Sequence, residues 1–228
     1  RLIERPSVRR TGHVERLNKA LNLLGPTYVK FGQTLTTRPD VVGVDIANDL
    51  AGLQDRMDPF DAALVPGILH DALGEKAAEL TELSAPIAAA SIAQVHRARL
   101  KPAQGLPRTV AVKILRPGVQ ARFMADIESF YVAARLADRF VASTKRLRPV
   151  EVVETLDRSA RLELDLRLEA AAISEMAENI KDDTGFVIPS VSWDQVAQNV
   201  LTTSWVEGIP IRNHAALDAA GVDRKLLA

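Results

Sequence analysis

The sequence predicts an α+β fold with one small antiparallel sheet and many helices. Three observations predict it. Apolar residues recur at spacings of three and four through the first third of the chain, as they do in amphipathic helices. Near the middle, two β-rich runs flank a short polar loop. Two long stretches with helical periodicity follow, and β-rich sequence returns before the end.

The first segment, residues 13–75, is predicted to be helical. Gly25-Pro26 interrupts it, because glycine suits the end of one helix and proline the first turn of the next. Arg38-Pro39-Asp40 ends the second helix, since the residue before proline avoids the helical region. Further helices are predicted from Val44 to Gln54 and from Asp58-Pro59 to about Ala72. The apolar stripe of the first two helices consists of Leu17, Leu21, Leu24, Tyr28, Phe31 and Leu35.

The middle segment is predicted to form a β-hairpin. Residues Ser91–Ala98 alternate between apolar or small and polar residues, as a half-buried strand does. The turn-forming run Lys101–Pro107 separates them from a second β-rich run, Thr109–Leu115. Two strands joined by a short polar loop are most simply antiparallel.

Two long helices and two strands are predicted for the remainder. One helix covers Val119–Val141, and a second, opened by Pro149, covers residues 150–180. Val187–Val191 is predicted as an edge strand, because its proline removes a ladder donor. A second strand covers Asn199–Val206, and a short helix starts near Arg212. The predicted buried stripe of the second long helix consists of Val153, Leu156, Ala160, Leu164 and Leu168.

Composition excludes several classes of site. Lys+Arg and Asp+Glu both number 29, so the formal net charge is zero and gives no electrostatic footprint for nucleic acid. The chain has no cysteine, which excludes disulfides and thiolate metal sites. Its four histidines are scattered without a ligand pattern.

The termini and hydropathy indicate a piece of a longer protein. No apolar run approaches the roughly 20 residues that span a bilayer. The 228-residue chain begins with Arg1 rather than methionine, and no signal-peptide pattern follows.

The run Val110-Ala111-Val112-Lys113 carries the first candidate site residue. On a strand, alternate side chains face opposite sides, so Ala111 and Lys113 share one face. The small Ala111 leaves room for a flat ring, and Lys113 can reach phosphate oxygens, which need a fixed positive charge. The alternative is a lysine that extends from a strand edge into solvent.

Glu169 on the following long helix is the candidate anion that orients Lys113. Asp165 and Glu169 are four residues apart and therefore share a helix face, whereas Glu163 and Arg167 share another. Glu163 and Asp165 are two apart, so a regular helix points them in different directions. If both carboxylates serve one site, either the helix is distorted or the two carboxylates act one at a time. The alternative is a solvated helix with internal charge pairs, each worth a few tenths of a kcal/mol.

Ala88-Ala89-Ala90-Ser91 precedes the first strand of the hairpin. Glycine loops cradle phosphates because glycine accepts positive φ and lets backbone N–H groups approach. Three alanines predict a stiffer loop whose methyl groups crowd the phosphates and alter the pose of a nucleotide. The alternative is a helix-prone cluster packed in the core.

Lys30 and Gln33 are neighbours on one face of the second helix, whereas Phe31 points toward the apolar stripe. Gly32 favours a functional interpretation. Glycine inside a helix costs about 1 kcal/mol relative to alanine and is often kept for the close approach of another element. The alternative is an ordinary exposed helix face.

In this order, the motifs resemble those of the UbiB/ADCK family of atypical, protein-kinase-like kinases, which regulate ubiquinone biosynthesis. The resemblance covers nearly the whole chain, from Leu17 to His214. The matching motifs are the Lys30-x-Gly32-Gln33 helix, the Thr37–Asp40 stop, the Ala88–Ser91 loop running into Ile92–His96, Lys113, Glu163-x-Asp165, Glu169 and the hinge-like Trp205–Gly208.

The resemblance implies a kinase-like N-lobe, with a small antiparallel sheet and a long αC-type helix, behind a family-specific helical extension. The expected domains are an extension at residues 1–78, the N-lobe at 79–208 and a hinge with the start of a C-lobe at 209–228. A helical insertion is expected within the N-lobe at residues 118–146.

The resemblance also implies roles for single residues. Lys113 and Glu169 are the expected catalytic pair, with Lys113 on the phosphates of ATP or ADP. Lys30 and its helix form a lid over the cleft, where both carboxylates meet Lys30, because such charges are costly to bury unpaired. The lid residues are Lys30, Gln33, Glu163 and Asp165. The expected nucleotide-binding residues are Ala88, Ala89, Ala90, Ser91, Val95, Ala111, Lys113 and Val206.

The chain departs from a complete kinase after the hinge. No catalytic-loop aspartate and asparagine and no Asp-Phe-Gly motif precede Ala228. We therefore expect no metal ligands within this chain, Mg²⁺ ligands in a missing C-lobe, and no ATP turnover by this polypeptide alone. The whole protein is expected to be an atypical kinase or ATPase that supports ubiquinone biosynthesis.

Two alternatives remain at this point. One is a non-catalytic, nucleotide-gated lipid-binding or scaffold module of quinone biosynthesis, and the other is a helical scaffold with accidental motifs. The expected partners are a nucleotide, quinone-precursor lipids, a membrane surface and biosynthetic enzymes, without nucleic acid. The expected location is cytoplasmic or peripheral to the inner membrane.

Overall fold

A computed structural model describes residues 19–50, 57–102, 105–211 and 213–223. The predicted helical residues 13–18 and 51–54 lie outside the described residues, as do the last five positions of the predicted C-lobe segment. The predicted domain limits stay predictions. Among the described residues, no helix combines the length and the apolar character that crossing a bilayer requires.

A five-stranded antiparallel sheet forms the centre of the molecule. Its order is β1-β3-β4-β5, and β2 pairs with β3 as well. The hairpin of β3 and β4 confirms the predicted antiparallel pair. The strands are β1 (Leu80–Thr81), β2 (Pro86–Ala89), β3 (Ala93–Leu100), β4 (Arg108–Leu115) and β5 (Val200–Ser204).

Helices lie on both faces of this sheet. Short 3₁₀ turns occur at Ala62–Leu64, Gly74–Glu79, Ala142–Leu147 and Trp193–Gln195. The α-helices are α1 (residues 19–24), α2 (Pro26–Thr36), α3 (Pro39–Val42), α4 (Val44–Leu50), α5 (Val65–Leu73), α6 (Val119–Phe140), α7 (Pro149–Glu163), α8 (Leu166–Asn179) and α9 (His214–Ala219).

The sheet separates two apolar cores. On one face, Phe123 and Ile127 of α6 and Leu156 of α7 are each at most 1% exposed. On the other face, Val65 of α5 packs into a cluster with Val112 of β4, and both are fully buried. Alternation along β4 therefore sends one set of side chains to α5 and leaves the other set, which includes Lys113, on the face that α8 covers.

Gly25 ends α1 where the sequence predicts a break. Its φ of +109° is one that L side chains rarely adopt, and Pro26 follows in the first turn of α2. A Cβ at this position would lie 2.9 Å from Nη2 of Arg122, which donates a hydrogen bond to the carbonyl of Leu24 at 3.0 Å. The backbone angle therefore requires glycine here, whereas the Arg122 side chain could move to make room for a Cβ.

The prediction of one continuous helix over residues 150–180 is wrong. The chain forms two helices, α7 and α8, with Leu164 and Asp165 between them. The backbone N–H of Leu166 donates to the carbonyl of Gln198 at 2.9 Å, a tertiary bond that replaces a helical one. The break changes the phase of the buried stripe, so Leu168 is 47% exposed whereas Leu166 is fully buried.

Two other predicted elements differ from the structure. Val187–Val191 forms no strand, and only Val191 makes an isolated bridge to Thr203, because Pro189 cannot donate to a ladder. The helix predicted from Asp58-Pro59 begins later. Asp61 caps the 3₁₀ turn by accepting from the N–H of Ala63, and α5 follows it.

Candidate functional site

Lys113 and Glu169 form an ion pair between the sheet and α8. The Nζ of Lys113 donates to Oε2 of Glu169 at 2.7 Å and to Oε1 at 3.0 Å. The lysine side chain keeps 31% of its surface exposed and the glutamate 41%. The carboxylate thus holds the ammonium while leaving part of it open to a further anion. The alternative of a lysine free at a strand edge does not fit this geometry.

The sheet face beside Lys113 is partly open and carries small or aliphatic side chains next to the ammonium. Lys113 lies opposite Val95 on β3, and Ala111 lies opposite Thr203 on β5. Val95, Ala111 and Thr203 are all half-buried. A flat ring could pack on this surface beside the ammonium. Val206 lies just beyond the end of β5 and is 45% exposed.

Arg97 and Trp205 extend this face. The sequence analysis included Trp205 in the hinge-like motif but missed Arg97. The guanidinium carbon of Arg97 lies 5.4 Å from the centre of the Trp205 ring, and Nε1 of Trp205 donates to Glu207 at 2.7 Å. Arg97 is paired in register with Ala111. The signal that could have found Arg97 is its spacing of two from Val95, which places both on one strand face.

The alanine-rich segment is an edge strand and a tight turn rather than a free loop. Ala88 and Ala89 belong to β2, and the N–H of Ala90 donates to the carbonyl of Ala93 at 2.8 Å. On the outer edge, the N–H of Met57 donates to the carbonyl of Ala89 at 3.2 Å. The guanidinium of Arg116 donates to the carbonyl of Ala90 at 2.9 and 3.1 Å. The segment is therefore fixed on both edges and at its tip.

A buried polar chain supports this region from the opposite face of β3. The N–H of Phe60 donates to Oε1 of Gln94 at 3.0 Å, and the Gln94 amide nitrogen lies 2.9 Å from Nε2 of His96. Nδ1 of His96 lies 2.9 Å from the carbonyl of Ser84, which can only accept. We therefore assign the proton of the neutral ring to Nδ1. The histidine, which composition alone leaves without a role, ties three segments together.

Lys30 pairs with Glu163 across α2 and α7. The Nζ of Lys30 lies 2.6 Å from Oε2 of Glu163, and their side chains are 19% and 37% exposed. Gln33 lies one turn further along α2 and is half-buried, and Gly32 is buried. The helix that carries the Lys-x-Gly-Gln motif is thus bound to the end of α7.

Asp165 does not meet Lys30, which corrects the expectation that both carboxylates face it. Its side chain caps α8 by accepting from the N–H of Arg167 at 3.1 Å. It also pairs with the Arg167 guanidinium at 2.6 and 2.9 Å. Asp165 lies in the break between α7 and α8, and its cap and its ion pair with Arg167 hold its carboxylate at the start of α8. The predicted pair of Glu163 and Arg167 on one helix face is therefore also wrong.

Replacing Asp165 with alanine is expected to destabilise the full-length protein by about 1 kcal/mol at pH 7 through loss of the cap. The Arg167 hydrogen bond lowers the pKa of Asp165, against the opposing effect of burial. A lowered folded-state pKa gives stability at neutral pH that is lost as the pH falls through that pKa. The difference between parent and variant in denaturant unfolding should therefore shrink in acid. Asp165→Asn, which keeps a capping oxygen, is the control, and equal stability of parent and Asp165→Ala would contradict the cap.

The carboxylates of the two ion pairs lie on either side of the junction of α7 and α8. Glu163 is the last residue of α7, and Glu169 lies in the first turn of α8. Within the described ranges, no group of three or more His, Asp or Glu residues is arranged to hold a metal ion. The site thus offers a partly exposed ammonium, held by one carboxylate and flanked by the uncharged side chains of Val95, Ala111 and Thr203.

Comparison with known proteins identifies the family of the chain. The family described as "ABC1 atypical kinase-like domain" matches residues 52–228. This chain belongs to the ABC1 (UbiB/ADCK) family of atypical kinases. The predicted family and the predicted kinase-like α+β fold are both confirmed.

Several ABC1 relatives named "Probable protein kinase UbiB" resemble the chain closely. The protein of Marinobacter nauticus is 42% identical over 216 residues, which is 94% of this chain and 39% of the relative. The protein of Xanthomonas campestris pv. campestris is 43% identical over 216 residues, which is 93% of this chain and 39% of the relative. The chain therefore spans about two fifths of the length of these ABC1 proteins.

A solved structure supports the fold. The complex of Rv3197 with erythromycin, from Mycobacterium tuberculosis, aligns with a TM-score of 0.57 and 30% identity. The alignment covers 79% of this chain and 45% of that one.

Proposed function

We propose that the chain is the nucleotide-binding lobe of a UbiB-type atypical kinase or ATPase that supports ubiquinone biosynthesis. The observation that carries the proposal is the Lys113–Glu169 pair on an open sheet face. A lysine held by a helix carboxylate is the arrangement that orients a positive charge toward the phosphates of a bound nucleotide.

The residues present fit ATP or ADP. Lys113 would bind the phosphates through its exposed surface, and Glu169 would keep its ammonium in place. Val95, Ala111 and Val206 would border the adenine, and Ala88–Ser91 would cover the phosphates. Bound ATP supplies a transferable phosphoryl group, with Mg²⁺ ligands expected in the remainder of the whole protein. These residues bind and orient the nucleotide.

The α2 helix would act as the lid over this cleft. Lys30 fixes it to Glu163, and Gln33 lies on the same helix face, where it would approach the site. Asp165 contributes indirectly, since its cap begins the helix that carries Glu169. A lid bound by an ion pair would restrict access by a bulky substrate such as a protein.

The wider role also belongs to this proposal. The name of the relatives, UbiB, and the matching motifs support a place in ubiquinone biosynthesis. Quinone-precursor lipids, a membrane surface and biosynthetic enzymes are the partners that we infer, at a cytoplasmic or peripheral inner-membrane location. The balanced charge of the chain argues against nucleic acid.

A non-catalytic, nucleotide-gated binding module is the second candidate. The observation that favours it is the Rv3197 structure, which holds erythromycin. In this function the nucleotide would control ligand binding without phosphoryl transfer.

Measurements on the full-length protein test both candidates. We expect Mg²⁺–ATP or Mg²⁺–ADP to raise the midpoint of thermal unfolding in a saturable way. Release of labelled phosphate from γ-labelled ATP would then favour the kinase or ATPase, and saturable binding without release would favour the binding module. No nucleotide-dependent shift would contradict both.

A further inference from the structure

An apolar cavity of about 370 Å³ lies among α2, α3, α6 and α7, and its described lining includes neither Lys113 nor Glu169. It opens to the surface, and every described residue that lines it is apolar. Its size falls within the roughly 300–1,000 Å³ of small-molecule sites, which are mostly apolar and largely preformed.

The sequence of α6 creates this cavity. Ala133, Ala134 and Ala137 occupy the helix face that looks toward α2 and α7, where larger side chains would close the gap. Phe31 of α2 and Phe130 of α6 form an aromatic wall, with ring centres 5.0 Å apart. The rings and the alanine face together leave a slot bounded by carbon atoms.

We propose that this slot binds an uncharged hydrocarbon group, of the prenyl or alkyl class. A charged or strongly polar group would lose its hydration there without gaining a hydrogen bond. A hydrocarbon chain would instead gain burial against the aromatic wall and against Val152 of α7. A polar end group would remain in water at the open mouth of the slot.

The position of the slot connects its occupancy with the lid. Phe31 and Leu35 of α2 line one side, and Val152 and Val153 of α7 line another. The same two helices are joined by the Lys30–Glu163 ion pair. A ligand that packs against both would hold α2 on α7. This inference does not rest on nucleotide binding.

Binding of geraniol to the full-length protein, without nucleotide, tests the proposal. We expect saturable binding by calorimetry and changes in the methyl NMR signals of Val42 and Val152. The methyl signals of Val65 and Val110, in the core on the other face of the sheet, should stay unchanged.

Paired substitutions on α6 give the control. Ala137→Phe fills the slot and is expected to weaken geraniol binding at least tenfold while the protein remains folded. Ala125→Phe places the same side chain on an exposed part of the helix and should bind as the parent does.

Three results would overturn the proposal. They are no saturable binding by the parent, equal binding by Ala137→Phe, and methyl changes at Val65 and Val110 instead of the slot. If Ala137→Phe fails to fold, the NMR map of the parent alone decides the outcome. A protein that binds geraniol but no nucleotide would contradict the proposed function and still support the proposed hydrocarbon site.

Discussion

Replacing Lys113 with alanine in the full-length protein is expected to weaken Mg²⁺–ATP binding by about 10- to 100-fold, or about 1.4–2.7 kcal/mol. The reason is the loss of a charge-assisted contact with phosphate, which is stronger than a neutral hydrogen bond. Direct titration with a fluorescent nucleotide, followed by competition with ATP, measures the effect. Unchanged affinity would exclude Lys113 from the site.

Substitution of Glu169 separates an effect on nucleotide affinity from an effect on folding stability. Glu169→Gln keeps the shape of the side chain but removes the charge that orients Lys113, so we expect a smaller loss of affinity than for Lys113→Ala. Lys101→Ala is the matched control, because Lys101 is a 49% exposed lysine that pairs with Glu82 outside the site. If Lys113 only stabilised α8, both site variants would change unfolding and leave nucleotide affinity alone.

Reversing the charge of Glu163 is expected to release α2 from α7. In Glu163→Lys, two ammonium groups would face each other where the parent has a contact of 2.6 Å. We expect a loss of about 1–2 kcal/mol, between the values for exposed and buried pairs, because Lys30 is largely buried. Faster hydrogen exchange in peptides from α2, and an earlier midpoint in denaturant unfolding, measure the change.

A charge swap provides the control for this prediction. The double variant Lys30→Glu with Glu163→Lys restores opposite charges and should recover much of the lost stability and exchange protection. An additive double variant, no better than the sum of the single changes, would show that the ion pair does not hold α2.

The hairpin and the position of Lys113 on its second strand could be predicted from the sequence. Alternation along Ser91–Ala98 and Thr109–Leu115 reflects one buried and one half-open sheet face, and the structure confirms antiparallel strands there. The Gly25-Pro26 break was equally readable, since only local backbone geometry decides it.

The features that could not be predicted from the sequence depend on contacts between remote segments. The joint at Leu164 and Asp165 contains no proline or glycine, and it depends on the remote carbonyl of Gln198. The alanines of β2 favour a helix by intrinsic propensity, yet pairing with β3 makes them a strand. The buried chain through His96 joins positions 60, 84, 94 and 96, which no local pattern connects.

The same joint between α7 and α8 has a consequence for how the chain tolerates changes of length. Each residue added to an α-helix rotates everything beyond it by about 100°. If α7 and α8 were one continuous helix, an insertion near Leu156 would rotate both Glu163 and Glu169 away from their lysine partners. Because α8 is a separate helix with its own N-cap, such an insertion would rotate only Glu163, and the orientation of Glu169 would not change.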